Sequence, residues 1–300
     1  MKIAFGGAFA AVFDVGVPIL DGHEVDDLFP TAKPAGRAGS FTLFKMGNWH
    51  LGIAAVAVAP GLEQAANQVY REIFKVTGGV QVARIWNYVP AINGTGANGR
   101  ENYQAFCEGR SRAFEERHGR DFKLFVPAAS AVGCNSAFLT VAFAACATKP
   151  RHVENPLQVP AYDYPRKFGP RSPSFARATI ARDGDVATVF ISGTAAIRGH
   201  ATVGACGIAG QLECTLQNLA EISRACGLGS RLDQGGRSSR HFRVYVRHAA
   251  DQPLVAATLG EHLFSNGDRI SYLHADICRQ PLLVEIEATL LGVTVPSRPN

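Results

Sequence analysis

Cys278 and Glu285 stand seven positions apart in "ADICRQPLLVEIEATLLG", residues 275–292. From Leu282 onward the stretch alternates as a β-strand does, with successive side chains on opposite faces. Leu282, Val284, Ile286, Ala288 and Leu290 make one face, which reads as core. Leu283, Glu285, Glu287, Thr289 and Leu291 make the other. Two carboxylates between leucines suit a strand with one wet face. They also suit a dry site, where burial disfavours the charged form and leaves a carboxyl able to act as an acid near neutral pH. Cys278 has two readings as well. It is a small buried hydrophobe, the commonest fate of a free cysteine, or a group that handles protons or touches substrate.

Anionic substrates in a partly dry site need fixed cations. Arg166, Arg171 and Arg177 lie in "YPRKFGPRSPSFARA", and Arg247 closes "VYVR". Arginine grips a carboxylate two oxygens at a time. At least two of these four are expected to reach a ligand, the others being solvated. Ser192-Gly193-Thr194 follows a strand, with Ala195 and Ala196 beside it. Glycine there lets backbone approach a ligand and lets amides face an oxyanion, unless this is an ordinary turn. His200 and His274 receive no role. "GTGANG" (94–99) lacks the strand-turn-helix setting of a dinucleotide loop and reads as a surface loop. No Ser-His-Asp or HExxH signature appears, and neither a metal nor a cofactor is expected.

The elements that hold these residues occur twice. A run with five prolines between Pro150 and Pro170, within 147–174, divides the chain into units 1–150 and 151–300. Residues 61–79 and 207–229 each show helical spacing and end at glycine. Each is followed by a β-rich run (80–90 and 240–251) and a second helix (101–117 and 252–264). Each half closes with two apolar strands, at 123–133 and 137–147 and again at 269–278 and 282–292. The shared order is β-β-α-β-α-β-β, offset by about 147 residues (285 − 138). This predicts an α+β fold of two tandem units, each a mixed β-sheet with two helices on one face. "FLTVAFA" and "LLVEIEA" occupy the same place, and only the second carries acids. A site kept in one copy explains that difference.

Composition narrows the function. The chain has 300 residues, 47% apolar and 18% charged, which is globular. Its net charge of +5 comes without a lysine-arginine run of the length a nucleic-acid stripe needs. Most of the 30 basic residues are arginine, which favours small anionic ligands over polyanions. No uncharged apolar stretch is long enough for a membrane helix. The N-terminal "MKIAFGGAFAAVFDVGVPIL" has one lysine before an apolar run broken by Asp14, and reads as a strand and hairpin, not a signal peptide. Seven cysteines without a CxxC pair fit reduced thiols in a cytoplasm.

"FGPRSPSFARATI", "FISGTAAIRGH", "GQLECTLQNL", "VYVRHAAD" and "ADICRQPLLVEIEA" together resemble the chorismatases. So do "RIWNYVPAIN", "ENYQAFCEGRSRAF" and "VPAASAVG" in the first half. The resemblance runs from about residue 45 to 290. The C-terminal half is also similar to the reactive-intermediate deaminase (Rid) proteins, single units of such a fold, so the resemblance implies two tandem Rid-like units. It implies cleavage of chorismate to pyruvate and a ring product, with Glu285 as the acid. Family members that make 3-hydroxybenzoate carry a cysteine seven residues before the acid, the place of Cys278; whether 4-hydroxybenzoate is made alongside it is left open by the sequence. Members that only hydrolyse, giving the dihydroxycyclohexadiene carboxylate, carry a small residue there. Arg166, Arg171, Arg177, Arg247, Thr194 and Ala195 are the expected substrate contacts, and Glu287 is a solvated or hydrogen-bonded neighbour. Competing readings are the simple hydrolase, a Rid-type imine deaminase, and a small-ligand binding protein without activity. Single-unit relatives are trimers, and a duplicated chain is either a homo-oligomer of that kind or a monomer.

Overall fold

The computed structural model describes residues 1–7, 11–59, 61–96, 99–204, 206–232 and 238–294. Residues 97 and 98 of "GTGANG" lie outside the described residues. The chain begins with β1 (Lys2–Phe5), β2 (Ala11–Asp14), β3 (Ile19–Gly22) and β4 (Val25–Phe29). β1 pairs antiparallel with β2, as the hairpin reading expects, and parallel with β4.

The first large unit follows: β5 (Lys33–Ala38), β6 (Phe41–Met46), β7 (Trp49–Ala57), α1 (Leu62–Val76), β8 (Gln81–Pro90), α2 (Asn102–His118), β9 (Ala128–Cys134) and β10 (Phe138–Cys146). The second contains β11 (Arg151–Val153), β12 (Ala178–Asp183), β13 (Val186–Ala195), the small ribbon β14 (Ile197–Arg198) and β15 (Ala201–Thr202), then α3 (Gly207–Ala225), β16 (Ser239–Val246), α4 (Gln252–His262), β17 (Arg269–His274) and β18 (Val284–Val293). The first sheet runs β5-β6-β7-β10-β8-β9, and the second β11-β12-β13-β18-β16-β17 with β3 added at the far edge. Strand for strand the order is the same, and β8–β9 and β16–β17 are the parallel pairs. The repeat inferred from element order is therefore a repeat of topology.

Three details depart from the sequence reading. β3, from the first twenty-odd residues, joins the edge of the second sheet through β17. Residues 119–125 form 3-10 turns, so the strand expected from residue 123 begins only at Ala128. The proline-rich 147–174 run is not a bare tether: it contains β11 and two short 3-10 turns.

Each sheet buries one face under its helices. Leu62, Ala65, Ala66, Val69 and Ile73 of α1 are buried with Phe106 and Phe114 of α2. Gly109 lets the two helices touch, since a Cβ there would stand 2.0 Å from the Glu63 carbonyl. Leu212, Leu219 and Ile222 of α3 cover Val284, Ile286, Ala288 and Leu290 of β18, the strand face read as core. The other faces of the two sheets pack against each other, with Trp49, Trp86 and Phe190 meeting edge to face and the small N-terminal sheet closing one side.

That inner layer also holds charge. Arg84 of β8 donates to the Glu287 carboxylate at 2.6 Å, and Arg243 of β16 does so at 2.8 Å. Trp86 adds its indole N–H at 3.1 Å, and Arg243 reaches Asp26 of β4 at 2.6 Å. The second face of β18 is thus dry: Glu285 and Glu287 are each 3% exposed. This overturns the wet-face reading and makes Glu287 the hydrogen-bonded alternative. Removing one partner of a buried ion pair leaves an uncompensated charge and costs about 3–5 kcal/mol. Arg243→Ala should accordingly lower unfolding stability by about that amount in urea titrations. A midpoint within experimental scatter of the parent would show that the network does not join the sheets.

Candidate active site

Glu285 points from β18 into a cavity of about 230 Å³. Across the ladder it faces Ala195, and the β13–β18 register shifts between Ile191 and Thr194. Gly193 sits in that irregularity against the carboxyl. A Cβ on Gly193 would stand 1.9 Å from Glu285 Oε1, so glycine is what leaves the acid room. What approaches this glycine closely is the Glu285 carboxyl, not a ligand as the sequence reading expected.

Burial pushes the Glu285 carboxyl up to about 8, with the Glu287 charge adding to the rise and Arg84 and Arg177 opposing it. At neutral pH it therefore keeps its proton. Cys278 lies half-buried on the same wall. Burial first, and the nearby Glu285 second, push its thiol up to about 12. Cys278 is thus a neutral S–H group, able to donate or contact, not a resting thiolate.

The expected cations divide. Arg177, 4% exposed, lines the cavity. Its guanidinium lies 5.0 Å from the Phe175 ring and donates to the Tyr164 hydroxyl at 2.6 Å. Arg166 is exposed on a 3-10 turn outside the lining. Arg171 pairs with Glu115 of α2 at 2.5 Å. Arg247 serves the fold: it binds the carbonyls of Leu282, Ile277 and Arg279 and the side chains of Asn93 and Asp276, fastening the 276–283 loop. Thr194 faces away from the cavity, its hydroxyl on the Ser192 carbonyl at 2.9 Å. Ser192 bridges the units, accepting the Ala129 amide at 2.9 Å. Ala195 does line the cavity. His200 gives its carbonyl to Arg279, and His274 contacts the Arg247 carbonyl.

The structure adds what sequence reasoning missed. Arg279, next to Cys278 in "ICRQP", lies 4.0 Å from the Phe168 ring and 5.1 Å from that of Tyr164, and lines the cavity with Lys167. Its adjacency to Cys278 was the available signal. From the other unit come Glu101, the N-cap of α2, and Tyr103 and Gln104 of its first turn. A narrow extension reaches Arg110 and Ser130 beneath Glu285 and Cys278. Ser130 also accepts from Arg84 at 3.0 Å, which ties the floor to the inner ion network. One acid that holds its proton, a thiol, and three cations thus surround one small space. Such a space suits a compact anion that must be protonated.

If the Glu287 charge helps hold the Glu285 proton, Glu287→Gln should lower the Glu285 titration midpoint from near 8. Carbon-13 NMR of the Glu285 carboxyl reads this directly, and an unmoved or raised midpoint would show that Glu287 has no such influence.

Comparison with known proteins bears on the family and the fold. The family described as chorismatase FkbO/Hyg5-like, N-terminal, matches residues 28–145. A 3-hydroxybenzoate synthase of Streptomyces hygroscopicus is 34% identical over 301 residues, covering 93% of this chain and 87% of that protein. A chorismatase of Streptomyces rapamycinicus is 36% identical over 267 residues, covering 86% of this chain and 79% of that protein. A chorismatase crystal structure superposes with a TM-score of 0.79 at 28% identity, covering 96% of this chain and 91% of that one. With relatives of this identity along most of its length and a chorismatase fold that superposes on nearly all of it, the chain belongs to the chorismatase family.

Proposed function

We propose that the protein cleaves chorismate to pyruvate and 3-hydroxybenzoate, with Glu285 as general acid. The observation that carries this reading is a protonated, buried carboxyl at the wall of a cavity lined by Arg177, Arg279 and Lys167. Chorismate brings two carboxylates and an enolpyruvyl ether. The cations match the carboxylates. The acid matches the ether, whose cleavage begins when a proton is placed on the enol carbon, turning the ether into an oxocarbenium ion. Carbon protonation is slow in water and gains from a strong acid held in place. The substrate seat is assigned to Arg177 and Arg279 in place of Arg166, Arg171, Arg247 and Thr194, with Ala195 at the wall.

Pyruvate plus hydroxybenzoate contain the same atoms as chorismate, so no net water is consumed. The alternative, hydrolysis to the dihydroxycyclohexadiene carboxylate, consumes one. The half-buried Cys278 beside the acid favours the first, since a neutral thiol there can contact the ring during aromatisation. The lining groups come from one chain: α2 and β9 of unit 1–150 and the acid-bearing strand of unit 151–300. The site so read needs no second subunit, and the first unit is the degenerate copy. No helix of the described residues is long and apolar enough to cross a membrane, and seven free cysteines favour a reducing cytoplasm.

Incubation with chorismate, following pyruvate and the ultraviolet spectrum, tests the reading. Pyruvate with an aromatic product supports it; pyruvate without one points to the hydrolase; no pyruvate overturns both. Glu285→Gln should lower pyruvate release by about 10²–10⁴-fold or more while chorismate still binds. In the parent enzyme the rate should fall as pH rises through about 8, because the acid is lost as it ionises. A rate insensitive to this substitution would remove Glu285 from the mechanism.

Cys278→Ala should change the product more than the rate. Protonation of the enol ether needs no thiol, so pyruvate still forms, while product shifts from 3-hydroxybenzoate towards the diol. Chromatography of both reactions decides it, and an unchanged product ratio would leave Cys278 as packing alone.

A further inference from the structure

The β13–β18 ladder ends at the pair Ala195–Glu285, where the cavity opens. Beyond that pair the two chains part. Ala196 and Ile197 lead into the β14–β15 ribbon, while Leu283, Leu282 and Pro281 lead back to the loop that carries Cys278 and Arg279. Parting strands leave backbone groups without ladder partners, and buried groups of that kind are satisfied elsewhere. Here α3 satisfies them. Its Gln211, Cys214, Thr215 and Asn218 stand three, four and seven apart, which is one helix face, and all four are buried.

Gln211 takes the place of a missing strand. Its Nε2 donates to the Pro281 carbonyl at 2.8 Å, and its Oε1 accepts the Leu283 amide at 2.9 Å. Two turns on, Asn218 Nδ2 donates to the carbonyls of Ala195 and Ile197, each at 3.0 Å. Its Oδ1 accepts from Arg198 at 3.0 Å. Cys214 lies between the two amides and packs with Ala195, Ala196, Ile197, Ile277 and Leu282, which fill the fork. One side-chain amide thus serves each branch, and an apolar plug separates the branches.

We propose that Gln211 and Asn218 are positioning residues that hold this fork open and so set the gap between two walls of the cavity, Ala195 and Ile197 on one side and Cys278 and Arg279 on the other. Neither amide lines the cavity. Glu285 is fixed independently, by its ladder pairs with Ala195 and with Tyr245 of β16. Loss of Gln211 therefore loosens the branch bearing Cys278 and Arg279 more than it moves the acid. Arg247 grips the same loop through the Ile277 and Arg279 carbonyls, so the loop stays attached but is free on its α3 side. For the identity of the substrate the inference rests on the chorismate reading.

The test compares Gln211→Met, which keeps the length of the side chain without its donor and acceptor, with Thr215→Val. Thr215 shares the helix face, and its hydroxyl has no hydrogen-bond partner among the described residues, so its variant reports packing alone. With chorismate, Gln211→Met should raise KM roughly tenfold through the displaced Arg279. It should shift product from 3-hydroxybenzoate towards the diol and leave kcat for pyruvate release within about threefold, since the acid stays in place. Without substrate, iodoacetamide should label Cys278 on the order of tenfold faster than in the parent, read on its peptide by mass spectrometry. Thr215→Val should match the parent in all four. Gln211→Met protein with parental KM, product ratio and labelling, or Thr215→Val protein that shows the same changes, overturns the proposal. If the methionine variant fails to fold, hydrogen exchange of the Leu283 amide in the parent decides: protection supports the contact with Gln211, and exchange at the rate of an open loop overturns it. Failure of the substrate reading shows differently, as parent protein that releases no pyruvate from chorismate, while the labelling of Cys278 still tests the fork.

Discussion

The Glu287 carboxylate held between Arg84 and Arg243 is the constraint on which the rest of the structure depends. Each arginine comes from the corresponding strand of a different unit, β8 and β16, and each would be costly to bury alone. Together with Glu287, Asp26 and the Trp86 indole they allow two sheets to meet across a layer that is otherwise apolar. The same charge lies two residues from Glu285 on one face of β18. The network therefore performs two tasks. It joins the sheets, and it places a fixed negative charge where it resists ionisation of the acid.

That arrangement explains why the acid belongs to one unit and its surroundings to both. β18 is the centre of the second sheet, flanked by β13 and β16, so Glu285 is held on a rigid element. Under the proposed reaction this matters, since rigid strands locate a reacting group better than loops do. What faces it is drawn from the other unit: Tyr103 and Arg110 of α2 and Ser130 of β9. The segment joining the units passes over the opening and supplies Tyr164, Lys167, Phe168 and Phe175. Its irregular backbone, read as a linker from its prolines, is the wall of the site. Cation–π contacts of Arg279 with Phe168 and of Arg177 with Phe175 hold both guanidiniums over aromatic rings.

Much of this was legible in the chain. Helices α1 to α4 lie within a few residues of where apolar spacing and terminal glycines put them, because each must bury one stripe against a sheet. The alternation of β18 assigned Val284, Ile286, Ala288 and Leu290 to the helix-covered core. The duplicated order of elements anticipated two sheets with one strand order. The arginines were read less well. Of the four arginines read as substrate contacts, Arg177 lines the cavity and Arg166, Arg171 and Arg247 do not, while Arg279, which adjoins Cys278, lines it without having been singled out. A guanidinium lies at the end of a long flexible stem, so its position along the chain says little about where its charge sits.

By itself the sequence determined the family, the two-unit fold, the strand that carries Glu285, and the spacing of that acid from Cys278. These are local matters of period, composition and motif. Only the tertiary structure decided that the face bearing Glu285 and Glu287 is dry. A strand of alternating leucine and glutamate reads the same whether water or a second sheet covers it. What covers it here comes from β8, some two hundred positions earlier, whose Arg84 and Trp86 bind Glu287. The raised pKa of Glu285 follows from its burial between distant segments and from the Glu287 charge, against the opposing pull of Arg84, since desolvation and neighbouring charges act through space and leave no mark on the residues beside Glu285 in the chain.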